Sequence, residues 1–390
     1  MTEIPQLLLP EKRPALLDGG MGRELRNRGV PIPNTIWSAN ALLVAKDVVL
    51  QVHKDFIEAG ADIITTNTYG VIKNDLKKEG LEDKFAELNR LAGKLAIQAS
   101  RSSEEGVAVA ASLPPLRGSY RPDLVGPVEE LVPLYREQCE MLEPYSDLFL
   151  CETMSSGDEA LAAATAACEF GKPVWVSWTL ADDGSGKLRS GETIADAAKK
   201  IAGLPVSGFL ANCCVPEAID AAMPQLVALK KGVAGGYANT FKPVPKDWTL
   251  DGAKPTDGLL PTRDDLDPEH YAVHAQKWLQ AGAKVIGGCC GTGPKHIARL
   301  KQLVEAKRAD PSSASRSIPS STAAIRSCPG TRCGRTTARR SCAPAACRSC
   351  CRTSRSRPTP TSTRSTVSSS PAAPSTWIPA CSVPRHATRP

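Results

Sequence analysis

"EAGADIITT" (58–66) and "QAGAKVIGG" (280–288) share one pattern: a helical end, a glycine, and then an apolar strand. The glycine in each suits a helix C-cap, so both read as helix-to-strand joints of a repeating unit. Similar units fill the chain between them. Apolar or β-branched runs stand at "ALLDGG" (15–20), "DIITTNT" (62–68), "VAVAASL" (107–113), "DLFLCET" (147–153), "VWVSWTL" (174–180), "GFLANCC" (208–214), "VAGGYAN" (233–239) and "KVIGGCC" (284–290). Helix-like stretches alternate with them at 46–59, 82–102, 128–142, 157–169, 192–202, 216–230, 268–280 and 294–307, several opening on start signals such as Asp158, Pro216, Asp267 with Pro268, and Pro294. Eight strand–helix units joined by right-handed crossovers predict an α/β fold, a (β/α)8 TIM barrel over residues 1–310. A doubly wound open sheet is the competing arrangement.

The 390 residues are not uniform in kind. Residues 311–390 contain no Lys, Asp, Glu or Leu but hold 13 Arg and 7 of the 14 Cys. Removing those 13 charges from the overall +7 leaves −6 for residues 1–310, so the basic balance of the whole chain does not signal a nucleic-acid partner. A segment with so little apolar surface cannot offset the entropy of ordering and is expected to be a disordered low-complexity tail. Its Arg/Ser/Pro/Cys bias is also what GC-rich coding DNA gives when read out of frame, and on that reading the natural protein ends near Ala309. Neither a charged-then-apolar leader nor an apolar run of the ~20 residues that span a bilayer is present. A cytoplasmic protein is expected, one that works without a membrane and keeps its cysteines reduced.

In a barrel of this kind the reactive groups gather where the strands end, at their C-terminal side. Asp18, Gly19 and Gly20 follow the first strand, Asn67 the second and Glu152 the fourth; Asn212 to Cys214 close the sixth, and Cys289 with Cys290 the eighth. These groups therefore fall on one face. Strands six and eight belong to the same alternating set, which brings Cys213 or Cys214 to Cys289 and Cys290 around one metal ion. Zn2+ favours thiolates at ~2.3 Å, and three protein ligands with one open position mark a catalytic rather than a structural site. Gly287, Gly288 and Gly291 are expected to let consecutive cysteines turn toward the same ion. Three thiolates make zinc a poor activator of water but a good host for an incoming thiol, which loses its proton on binding. The chemistry expected is alkyl transfer to sulfur.

The segments "LLDGGMG", "TTNTYG", "CET", "ANC" and "GGCCGTGPKHI" resemble, in order and over about residues 12–307, the motifs of the homocysteine S-methyltransferase family. The resemblance implies a zinc-dependent enzyme that methylates homocysteine to methionine, with Cys213, Cys289 and Cys290 as metal ligands and Cys214 spare. It further implies that Glu152 holds the substrate ammonium, with Asp18 and the Gly19/Gly20 backbone around the amino-acid end. No segment resembles the folate, cobalamin or activation modules of methionine synthase. The implied donor is thus a small onium compound, S-methylmethionine first and betaine as the alternative, with Trp37 and Trp178 as aromatics facing it through cation–π contact.

Several residues are expected to do plainer work. Cys139, Cys151, Cys168 and Cys214 should pack as small hydrophobes, Asp158 should cap the helix after Glu152, and His296 should cap or pack. His53, His270 and His274 are read as surface or packing residues. "GTGPKH" lacks the pattern of a phosphate-binding P-loop. Two other classes compete with the enzyme: a barrel holding zinc structurally through four protein ligands, and a nucleic-acid binder using the Arg-rich tail.

Overall fold

Eight parallel strands alternate with helices along the chain: β1 (Ala15–Leu16), β2 (Ile63–Thr65), β3 (Ala108–Leu113), β4 (Leu148–Met154), β5 (Val174–Trp178), β6 (Val206–Asn212), β7 (Val233–Tyr237) and β8 (Val285–Ile286). They form one sheet in the order β1-β8-β7-β6-β5-β4-β3-β2, and a parallel bridge between Leu17 and Ile63 joins its two ends. The result is a (β/α)8 barrel, not the open sheet. This computed structural model describes residues 8–309 apart from 12, 247 and 249–259. The tail expected over 311–390 lies outside the described residues.

Each expected strand is present: β4 and β6 keep their seven residues with the bounds shifted by one or two, and the other six are shorter, the remainder of each run serving as loop. Helices occupy Lys46–Glu58, Phe85–Arg101, Val128–Leu142, Gly157–Cys168, Ile194–Lys200, Pro216–Ala228, Pro268–Ala281 and Pro294–Ala309, in the intervals expected. Short helices at Met21–Asn27, Asn40–Val44 and Lys73–Lys78 fill the loops after β1 and β2. Ser156, not Asp158, caps the helix after β4, accepting from the Glu159 backbone N–H at 3.1 Å. Asp267 caps the helix that opens at Pro268, as its position implied. Three of the four cysteines expected to pack behave so here, with Cys139 and Cys151 buried and Cys168 half-buried.

Side chains alternate along each strand with period two. Leu17, Ile63, Ala110, Leu150, Trp175, Leu210 and Val285 fill the barrel interior, while Ile64, Val109, Phe149, Val176, Phe209 and Ile286 pack outward beneath the helices. Two residues further along the same inward rows the character changes: Thr65, Ser112, Glu152, Ser177 and Asn212 take the positions where apolar side chains end. This polar layer is the floor of the site.

Candidate active site

A cavity of about 100 Å3 opens at the C-terminal end of the barrel, room enough for a small amino acid. Asp18, Gly19, Gly20, Trp37, Asn67, Glu152, Cys213, Cys289 and Cys290 all line it. The site residues expected from the sequence, Trp178 apart, therefore meet in one place. Cys214 does not: it is buried among apolar neighbours away from the cavity, where burial pushes its thiol up.

The Sγ atoms of Cys213, Cys289 and Cys290 lie within 4.8 Å of one another, the only such cluster of potential metal ligands among the described residues. Cys213 Sγ is 3.7 Å from Cys290 Sγ and 3.0 Å from the hydroxyl of Tyr120. Hydrogen bonds from the Cys289 and Cys290 thiols hold Cys213 well below the ordinary thiol range, and the same bonds push Cys289 and Cys290 up. Three sulfurs that compete for protons at this spacing fit a soft cation such as Zn2+. Of the glycines around them, only Gly291 has a left-handed φ, +86°, whereas Gly287 and Gly288 are absent from that region. The latter two provide space: a Cβ on Gly288 would stand 2.1 Å from Thr292 Oγ1. The turn at the thiols is made instead by Cys213 itself, at φ +52°.

Asp18 and Glu152 are buried carboxylates that take part in no ion pair among the described residues. Asp18 accepts from Thr65 N–H at 2.8 Å and from Thr65 Oγ1 at 3.1 Å, yet burial pushes its carboxyl up to about 8. Glu152 accepts from Ser112 and, at 3.3 Å, from the Tyr237 hydroxyl, and burial pushes it up to about 7. Asn67 donates Nδ2 to Ser38 O at 3.0 Å, which leaves its buried Oδ1 without a partner at the cavity wall. Two unpaired carboxylates and a free amide oxygen make a site short of a cation or a donor group.

The same cavity has an aromatic lining, of which the sequence disclosed only Trp37. Tyr69, Tyr120, Phe241 and Trp248 join Trp37 around the cavity, and the Tyr120 and Trp248 rings meet at 5.3 Å and 53°. The Nε1 of Trp248 is buried without a partner. Arg189 covers the outer face of Tyr120 at 4.6 Å and is itself held by Asp182 at 2.8 Å, a nearly buried pair. Asp182 also accepts the backbone N–H groups of Val215 and Val244 at 2.9 Å each, so one carboxylate ties together the loops after β5, β6 and β7. The expected partner Trp178 stays out of the site: it is fully buried beneath the helices, stacked on Phe209 at 6.0 Å. Its place on β5 has outward parity, which an alternation count from Trp175 would have revealed. Tyr120 and Trp248 sit in long loops with no periodic signal, and only their residue type hinted at a role.

A family model described as homocysteine S-methyltransferase matches residues 15–304, including every residue of the cavity named above. The chain belongs to the homocysteine S-methyltransferase family. Within that family it is similar to a homocysteine S-methyltransferase of Escherichia coli (strain K12), 30% identical over 318 residues that cover 75% of this chain and 96% of the relative. It also resembles a selenocysteine Se-methyltransferase of Brassica oleracea var. italica, 25% identical over 341 residues, 78% of this chain and 92% of the relative. Among solved structures, the metallated form of a homocysteine methyltransferase from Escherichia coli superposes with a TM-score of 0.64 at 28% identity, over 75% of this chain and 97% of that one. No described helix is long and apolar enough to cross a membrane.

Proposed function

We propose that this protein is a zinc-dependent homocysteine S-methyltransferase that takes its methyl group from a small onium donor, S-methylmethionine in our reading, and forms methionine. The observation that carries the proposal is the cluster of Cys213, Cys289 and Cys290 in the same cavity as the unpaired carboxylates of Asp18 and Glu152. Cys213, Cys289 and Cys290 would hold Zn2+, which supplies a position where an incoming thiol loses its proton near neutral pH.

The chain's own residues then account for orientation. Glu152 binds the homocysteine ammonium, and the cation in turn keeps the buried carboxylate ionised. The free Oδ1 of Asn67 accepts a second ammonium hydrogen, and Asp18 with the Gly19/Gly20 backbone encloses the amino-acid end. Trp37, Tyr120 and Trp248 face the onium group through their rings and shut out water. As the new S–CH3 bond forms, the bond between the donor's onium atom and that methyl breaks, the bonding pair stays on that atom, and the donor leaves with it neutral. Its attraction to the aromatic wall falls at that moment, which favours release. Rate comes chiefly from holding thiolate and methyl in line. In this reading the whole activity belongs to residues 1–310, and neither the Arg-rich tail nor nucleic acid takes part.

The test is the zinc content of the full chain and of Cys290→Ala, with methionine formation followed from homocysteine plus S-methylmethionine or betaine. About one zinc per chain and turnover with an onium donor, both lost in Cys290→Ala, are expected. Full zinc with no turnover on either donor would instead mark a structural metal.

A further inference from the structure

The thiols follow β6 and β8 and Glu152 stands on β4, and the side chain of Asn212 bridges the β4 and β8 ends. Asn212 is fully buried, and its amide uses each of its four hydrogen-bonding positions. Oδ1 accepts the Thr153 N–H at 2.9 Å and the Ser177 hydroxyl at 2.7 Å. Nδ2 donates to Thr153 Oγ1 at 2.9 Å and turns its second hydrogen to Cys289 Sγ at 3.9 Å. The orientation of the amide is fixed by chemistry: a backbone N–H can only donate, so Oδ1 must face Thr153 and Nδ2 must face the sulfur.

Two residues beside this amide, Thr153 bound to it and Cys213 next in the chain, are both strained. Thr153 has φ +63° and Cys213 φ +52°, a region that a β-branched residue scarcely visits. Thr153 directly follows Glu152, and Cys213 directly follows Asn212. Asn212 therefore grips the turn that aims the carboxylate, precedes the turn that aims one sulfur, and donates to a second sulfur. No other side chain of its length offers two donors and two acceptors.

We propose that Asn212 is a positioning residue of the reaction, keeping the Cys213 and Cys289 sulfurs in register with Glu152 and stabilising the Cys289 thiolate by an N–H···S bond. The inference rests on the metal reading given above. Outer hydrogen bonds of this kind typically alter metal affinity by about tenfold to hundredfold when removed.

Asn212→Asp separates the sulfur contact from the rest. The carboxylate is isosteric, keeps both bonds to Oδ1, and can take a hydrogen bond from Thr153 Oγ1 because a hydroxyl reverses its role. Both donor positions become acceptors; Thr153 can answer by reversing its hydroxyl, whereas Cys289 loses its donor and faces a negative charge instead. Ser177→Ala is the control, removing a bond to the same amide with no contact to sulfur. Metal-free full-length chains are titrated with Zn2+ against a chromophoric chelator, and the thiolate-to-metal absorption band is recorded after loading with Co2+. Expected for Asn212→Asp are Zn2+ binding about tenfold to hundredfold weaker and a shifted Co2+ band, with Ser177→Ala matching wild type in both. Wild-type affinity and spectrum in Asn212→Asp overturn the proposal, as does an equal loss in Ser177→Ala, which would make the amide a mere strand tie. Should Asn212→Asp not fold, Asn212→Ser keeps an acceptor for Thr153 and removes the donor to sulfur, and wild-type affinity there overturns the proposal equally. A wild-type chain that takes up no Zn2+ overturns the metal reading itself, a result distinct from either.

Discussion

The hydroxyl of Tyr120 lies 3.0 Å from the sulfur of Cys213, although 93 positions separate the two residues. Through Tyr120 the thiol cluster and the aromatic wall become one structure, because Trp248 packs on the same ring. A donor seated against Trp248 is thereby brought next to the sulfurs. Trp248→Leu should raise the donor KM roughly 30-fold, the equivalent of the ~2 kcal/mol of a desolvated cation–π contact. The homocysteine KM should stay within a factor of about two. Steady-state kinetics with each substrate varied in turn decide the matter, and equal rises in both constants would place Trp248 outside the donor site.

Glu152 answers the opposite question, since in the proposed reading its carboxylate binds the homocysteine ammonium. Replacing it by Gln keeps the shape and the acceptor but removes the charge. A hydrogen bond to a charged partner contributes ~1.5–3 kcal/mol, so the homocysteine KM of Glu152→Gln should rise about tenfold to hundredfold while zinc content is retained. Loss of zinc in this variant would mean that the carboxylate supports the metal instead of the substrate.

Gly20 connects the first loop to the cysteine loop by close approach. A Cβ there would stand 2.7 Å from Cys289 O and 3.1 Å from Cys290 Cα, and backbone cannot move aside as a side-chain end can. Gly20→Ala should displace the two cysteines, lowering zinc content and stability together, the latter by the ~1–3 kcal/mol of an overpacked site. Metal analysis and urea unfolding of the same sample measure both.

His53 gives a pH dependence that is independent of the site. It is fully buried in the helix Lys46–Glu58 with neither ring nitrogen partnered, and burial lowers it from 6.5 to about 4. The folded state therefore keeps the ring neutral while the unfolded chain takes up a proton. Stability from this source is complete above pH 6.5 and falls as the pH drops toward 4, with about 2 kcal/mol lost by pH 5. Urea midpoints at pH 7 and pH 5 should fall less in His53→Leu than in wild type, and equal falls would contradict the assignment.

The cavity's thiols and carboxylates were legible in the sequence because the barrel imposes a rule of position: groups at strand ends share one face, whatever their separation along the chain. That rule placed Cys289, Cys290, Glu152, Asp18 and Asn67 at the mouth and left Cys213 and Cys214 as alternatives, between which the family resemblance chose Cys213. It failed for Trp178, whose side chain alternates outward from β5, and it was silent on Tyr120, Phe241 and Trp248, which sit beyond the strands.

Period-two and helical patterning along the chain thus determined the barrel and, through it, the identity of the thiol and carboxylate groups at its mouth, since both follow from local backbone geometry. Tertiary structure alone decided the aromatic wall, the orphaned Oδ1 of Asn67, and the bridging amide of Asn212. These depend on which side chains from distant strands and long loops come within ~3–4 Å of one another, and hydrogen bonding and packing at that range leave no periodic trace in the sequence.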